Sequence, residues 1–202
     1  MAEKKLFPVH LPIHLAIFAS GKGTNAQKII EYFASYPDKV KVALILSNNK
    51  EAGVLEIARR EGIPSIIIEK EKFFRGNAYT GELKEKKIDF IVLAGFLWKI
   101  PRALLSAYPN RIINIHPALL PKYGGKGMYG HHVHEAVIAA REKESGITIH
   151  YVDEVYDHGK IIFQAKCEVT ENDNPESLAK KISLLEHTHF PRVISELIGI
   201  KI

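Results

Sequence analysis

Uninterrupted apolar runs alternate with stretches of helical periodicity along most of the chain. Leu15-Ala16-Ile17-Phe18-Ala19 reads as a buried strand, followed by a glycine loop from Ser20 to Asn25. Ala26 to Phe33 then carries apolar residues at helical spacing. Val40 to Leu46 is a second strand, and Gly53 to Arg60 a helix stopped near Gly62. Ile66 to Ile68 is a third, short strand, Phe74 to Lys86 a charged helix, Asp89 to Leu93 a fourth strand and Arg111 to Ile115 a fifth. Units of roughly 30 residues that alternate strand and helix build a parallel sheet with helices on both faces. The strands are continuously apolar, as strands covered on both faces should be.

The pattern changes after residue 145. Ile147 to Val152 and Lys160 to Val169 are strands joined by a polar turn, which suits an antiparallel extension. Asn174-Pro175-Glu176-Ser177 opens a final helix, with Asn as N-cap and Pro at the first helical position. That helix should reach about Leu197, with Pro191 forcing a kink or a break. The expected fold is α/β: a Rossmann-like, doubly wound, mostly parallel sheet with an antiparallel C-terminal extension and a long terminal helix. Residues 1–12 read as a short N-terminal extension and residues 13–202 as one domain.

Composition narrows the class. A chain of 202 residues with 46% hydrophobic and 25% charged residues fits one globular domain. The longest apolar run, Phe90 to Trp98, has nine residues and is too short to span a bilayer. A single cysteine, Cys167, cannot form an internal disulfide and favours a reducing compartment. Pro8, His10, Pro12 and His14 break the stretch after the charged N-terminus, so it does not resemble an export signal. A cytoplasmic protein is expected. The net charge of +5 invites a nucleic-acid reading, but the basic residues are scattered among acids, as in Glu69-Lys70-Glu71-Lys72. No nucleic-acid or membrane partner is expected. A positive balance suits a small anionic substrate.

Two segments carry candidate chemistry. Gly21-Lys22-Gly23-Thr24-Asn25-Ala26 follows a strand and opens a helix, where backbone N–H groups can hold an anion. It fits G-x-G-x-x-A, but the second strand ends in Ser47-Asn48-Asn49 without the acid that a dinucleotide ribose requires. A monophosphate site is preferred over a ligand-free tight turn and over a dinucleotide site. In the second segment, Asn114-Ile115-His116-Pro117, the amide and the imidazole are two residues apart and point to the same side of a strand end. An amide NH₂ can stabilise an oxyanion, and a histidine can exchange a proton near neutral pH. The pair suits nucleophilic addition to a carbonyl or formyl carbon. A capping Asn beside a structural His is the alternative.

Five motifs together resemble the folate-dependent phosphoribosylglycinamide formyltransferase family. They are Ser20 to Asn25, Ala94-Gly95-Phe96, the stretch NIHPALLPKY from Asn114 to Tyr123, Asp157 within EVYDHG, and Glu186-His187 before Phe190-Pro191. The resemblance implies direct transfer of a formyl group from 10-formyltetrahydrofolate, as co-substrate, to the amine of glycinamide ribonucleotide. It implies that Gly23, Thr24 and Asn25 hold the substrate phosphate and that Asn114 and His116 are catalytic. Asp157 would raise the His116 pKa, and Glu186 would lie near the substrate amine. Arg75, Leu97, Trp98, Lys99, Ile100, Asn114, Glu154, Val155, Tyr156 and Asp157 would contact the folate. Three departures stand out: Leu97-Trp98-Lys99-Ile100 where the family often has Met-Arg-Ile-Leu, a longer Gly124-to-Gly130 stretch, and Arg75, which matches only after a one-residue shift.

His131, His132 and His134 form a cluster, but a metal site needs further ligands, and none is expected. His150 and His189 read as structural. A methionyl-tRNA formyltransferase would carry an extra C-terminal domain and a formyltetrahydrofolate hydrolase an extra N-terminal one. Length therefore points to the small-nucleotide acceptor. A nucleotide-binding module without catalysis is the rival from another class. Monomer and homodimer both remain open.

Overall fold

β1 (Ile13–Phe18) sits at the middle of a sheet whose side chains divide cleanly between two cores. The structure is a computed structural model describing residues 10–75 and 77–200. Ile13, Leu15 and Ile17 face one core, while Ala16 and Phe18 face the other, as the two-residue period of a strand requires. β4 (Phe90–Leu93) divides in the same way, Phe90 and Val92 against Ile91 and Leu93. This is why these strands are apolar without alternation.

The remaining strands are β2 (Val40–Ser47), β3 (Ser65–Ile67), β5 (Ile112–His116), β6 (Glu144–Tyr151) and β7 (Ile161–Glu168). The order is β3-β2-β1-β4-β5-β6-β7. β1 to β5 are parallel; β6 and β7 add antiparallel to β5. The order reverses between β1 and β4. In such sheets ligands bind outside the carboxyl ends of the strands at that switch point.

Helices α1 (Thr24–Phe33), α2 (Gly53–Arg60), α6 (His131–Ala139) and α7 (Pro175–Leu197) contribute to one core. α3 (Lys70–Arg75), α4 (Ala78–Glu85) and α5 (Arg102–Ala107) contribute to the other. The expected single helix from Phe74 to Lys86 is instead two. Gly76-Asn77 is a pair of weak helix formers, and Asn77 becomes the N-cap of α4. The short α5 has no clear signature in the hydrophobic pattern.

α7 opens with a capping box: Asn174 accepts from the Ser177 N–H at 2.8 Å, and the Ser177 hydroxyl accepts from the Asn174 N–H at 3.0 Å. The helix continues through Pro191 rather than breaking there. An interior proline costs about 3 kcal/mol. Phe190, Val193 and Ile194 are buried around it, each contributing about 1.5–3 kcal/mol, so packing outweighs the lost hydrogen bond. Residues 1–9 of the expected N-terminal extension lie outside the described residues. Among the described residues no helix is long and apolar enough to cross a membrane.

Candidate active site

The glycine loop is anchored on both sides of the switch point. The Ala19 N–H bonds to the Leu46 carbonyl and the Ser20 N–H to the Gly95 carbonyl, each at 3.0 Å. The Ser20 hydroxyl donates to Asn48 Oδ1 at 2.6 Å and accepts from the Leu97 N–H at 2.9 Å. One serine thus fixes the loops after β1, β2 and β4. Gly23 is the N-cap of α1 in the left-handed region, φ 79°, and makes no side-chain cap. A Cβ there would lie 2.8 Å from Val54 Cα, so only glycine allows this loop to pack against α2. The first N–H groups of α1 open onto a cavity and form the kind of site that takes a phosphate.

That cavity measures about 740 Å³, within the range of small-molecule sites. Gly21 to Asn25 and Glu186 line it together with Leu93 to Ile100, Asn114, His116, His150 and Asp157. Asn25 Nδ2 donates to Glu186 Oε2 at 2.9 Å. Burial pushes the Glu186 carboxyl above its usual pKa, and the Asn25 amide opposes it only in part. Asn25 Oδ1 is buried with no partner among the described residues, an acceptor available to a ligand.

Asn114 and His116 follow Ile112 on one face of β5 and end at the cavity wall. Asn114 Nδ2 lies 3.1 Å from His150 Nε2 and 3.5 Å from Asp157 Oδ1. His150 Nδ1 donates to the Tyr151 carbonyl at 2.8 Å, and its Nε2 faces both the Asn114 amide and, at 3.6 Å, Asp157 Oδ1. His116 Nε2 donates to the Tyr123 carbonyl at 2.7 Å, and Nδ1 lies 3.5 Å from Asp157 Oδ2. A charge-assisted N–H···O bond is about 2.7–2.9 Å long, so Nδ1 is the ring nitrogen without a strong protein partner. The Gly125 N–H donates to Asp157 Oδ2 at 2.9 Å.

Burial raises the Asp157 pKa, but the His150 and His116 rings and the Gly125 N–H outweigh it, and the carboxyl falls below its usual value. Asp157 was expected to raise the His116 pKa. Its charge does act upward, helped by the Tyr123 carbonyl. Burial is the larger influence, and the imidazole sits below its ordinary pKa.

The expected folate-side residues divide. Leu97, Trp98, Lys99, Ile100, Val155, Tyr156 and Asp157 line the cavity. Trp98 packs on Phe73 and Phe74, with ring centroids 5.8 and 5.5 Å apart. Arg75 and Glu154 lie outside it. Arg75 is 79% exposed, 3.8 Å from Glu71, and Glu154 pairs with Arg102 at 3.1 Å. His150, read as structural, is buried with its ring against Asn114. The contact arises because Asn114 and His150 are opposite each other in the β5–β6 register, which no spacing in the sequence reveals. The Tyr123 carbonyl went unread, and of the histidine cluster only His134 reaches the cavity. His134 is buried on the cavity wall, its Nδ1 without a partner among the described residues. His131 and His132 turn outward to Glu135 at 3.4 and 3.3 Å. Among the described residues no group of three or more His, Cys, Asp or Glu is placed to hold a metal.

Residues 13–194 match the formyl transferase family. A chloroplastic phosphoribosylglycinamide formyltransferase of Arabidopsis thaliana is 42% identical over 91% of this chain, which spans 64% of that relative. The Vigna unguiculata counterpart is 41% identical, and the chain spans 60% of it. The Bacillus subtilis phosphoribosylglycinamide formyltransferase is 36% identical over 92% of this chain and 94% of its own. A crystal structure of phosphoribosylglycinamide formyltransferase from Bacillus halodurans superposes with TM-score 0.83 at 39% identity, covering 92% of this chain and 95% of that one. A switch-point cavity bounded by a glycine loop and an Asn-x-His strand end, with a match across nearly the whole sheet, leads to one conclusion: the chain belongs to the formyl transferase family.

Proposed function

We propose that this protein transfers the formyl group of 10-formyltetrahydrofolate to the amino group of glycinamide ribonucleotide, N1-(5-phospho-D-ribosyl)glycinamide, in de novo purine biosynthesis. The observation that carries the proposal is the meeting of Asn114, His116 and Asp157 on the wall of a cavity that also contains an anion-binding loop. The relatives' names supply the acceptor and the formyl transfer; the folate donor rests on the family resemblance.

The neutral amine of the acceptor attacks the formyl carbon. The carbonyl oxygen gains negative charge as the carbon becomes tetrahedral. The bond to N10 of the folate then breaks, and the proton lost by the amine ends on N10. Asn114 Nδ2 and the His116 Nδ1–H of the imidazolium are the donors for the oxyanion. Asp157, 3.5 Å away, offsets part of the cost of charging a buried ring. Gly23, Thr24 and Asn25 hold the phosphate, and Glu186, kept in place by Asn25, receives the amine. The apolar wall of Phe96, Leu97, Trp98 and Ile100 takes the folate. The protein acts in the cytoplasm on two small molecules.

The test is spectroscopic. The protein is mixed with 10-formyltetrahydrofolate and glycinamide ribonucleotide, and tetrahydrofolate formation is followed. Release that requires the ribonucleotide is the expected result. Release without it would mean hydrolysis, and ribonucleotide binding without release would mean a binding module.

A further inference from the structure

The imidazole of His116 is held from outside the cavity by a backbone carbonyl, and that carbonyl belongs to a residue in an unfavourable conformation. Tyr123 has φ 57°, in the left-handed region that a bulky aromatic residue rarely adopts. Such a conformation persists only where its surroundings enforce it. Two contacts do so here. The Tyr123 hydroxyl donates to Glu142 Oε1 at 2.9 Å, and Lys122 Nζ donates to the same oxygen at 2.8 Å. Glu142 follows the C-terminal end of α6, its N–H bonded to the Val137 carbonyl at 3.3 Å, away from the lining of the main cavity. The segment it clamps touches both catalytic partners: the Tyr123 carbonyl accepts from His116 Nε2, and the Gly125 N–H donates to Asp157.

From this geometry we infer that Glu142 is a positioning residue, which acts through the Tyr123 hydroxyl to fix the ring orientation and tautomer of His116. The inference rests on the proposed role of His116. A carbonyl can only accept, so it fixes the proton on Nε2 and reserves Nδ1 for Asp157 and substrate. Without the clamp the tyrosine ring has room to move. A second cavity of about 180 Å³ lies beside it, lined by Leu119, Lys122, Tyr123, Glu142, Ser145 and Gln164. A shift of the ring would carry its own carbonyl away from Nε2.

The experiment compares Tyr123→Phe, Glu142→Ala, the double variant and Glu142→Gln, with His116→Ala as reference. Each single loss should lower kcat about 10-fold, as a small misplacement at a reacting centre does, and leave KM for both substrates within about 2-fold. The double variant should be no worse than Glu142→Ala alone, because the contact that Tyr123→Phe removes is already lost in Glu142→Ala. Glu142→Gln keeps an oxygen for the tyrosine hydroxyl and should retain most of kcat. Imidazole ¹⁵N spectra should pass from a protonated Nε2 to mixed tautomers in Tyr123→Phe, which deletes one oxygen and reports on its own if Glu142→Ala fails to fold. Wild-type kcat and an unchanged tautomer in Tyr123→Phe, or additive losses in the double variant, would overturn the inference while an inactive His116→Ala left the role of His116 intact. Full turnover in His116→Ala would instead defeat that role.

Discussion

Replacing Gly23 by alanine tests the anion loop where its geometry is least forgiving. With φ 79° the new residue sits in the left-handed region, which costs an L-residue about 1–2 kcal/mol. Its Cβ would lie 2.8 Å from both Cα and Cβ of Val54 and 2.9 Å from Ile57 Cδ1. The Ile57 methyl can rotate away, but the α2 backbone at Val54 cannot, and overpacking of this kind costs about 1–3 kcal/mol. The sum is about 2–5 kcal/mol. At about 2–4 °C per kcal/mol for a chain of this size, the melting temperature should fall by roughly 4–20 °C. The loop must also shift by several tenths of an ångström, so the N–H groups at the start of α1 no longer converge. KM for the ribonucleotide should rise at least about 10-fold, with KM for the folate unchanged. Thermal melts and steady-state rates with each substrate varied measure both effects. Gly21→Ala is the control for stability, because a Cβ there meets nothing within 4 Å. A Gly23→Ala protein with wild-type melting temperature and wild-type ribonucleotide KM would refute the reasoning.

Other substitutions separate charge, capping and surface effects. Asp157→Asn removes the carboxylate charge that favours the His116 imidazolium, and burial then acts unopposed by it. The His116 NMR titration midpoint should move further down and activity should shift to lower pH; an unchanged titration would deny their contact. The sign for stability follows from the lowered pKa of Asp157 itself. Its contribution is present above the unfolded carboxyl pKa and is lost as pH falls through the folded one, so Asp157→Asn should be less acid-sensitive in denaturation. Asn174→Ala deletes the α7 capping box and should cost about 1 kcal/mol with kcat at 25 °C unaltered, as checked by urea unfolding. Arg75→Ala should leave the folate KM within about 2-fold, because an exposed pair to Glu71 contributes little; a larger rise would place that guanidinium at the folate.

Local chemistry was legible in the sequence, and long-range convergence was not. Both faces of β1 and β4 are buried, and their unbroken apolar runs say so. The glycine loop announces itself because a tight strand-to-helix turn restricts residue type. Asn114 and His116 share a side because a strand has a two-residue period. Asp157 is different: nothing in spacing brings it to His116, and only the family resemblance suggested it. The contact of His150 with Asn114 was not legible, because cross-strand register is set by the whole sheet and the two are 36 positions apart. The Tyr123 carbonyl carries no signature at all, since every residue has one. The separation of α3 from α4 was legible in the weak helix propensity of the Gly-Asn pair in the sequence, but the charged periodicity on either side masked it. At Pro191 the helix does not break, because tertiary burial overrode a local rule.

The centre is tested most directly by the kcat of acceptor-dependent formyl transfer in Asn114→Ala, measured with both substrates saturating and the fold checked by circular dichroism. An oxyanion donor lost from a preorganised site costs about 10²–10³ in kcat, and a fall of that size with folate and ribonucleotide binding retained is the predicted result. Turnover within about 3-fold of wild type would contradict it, since a donor worth so little falls well outside that range.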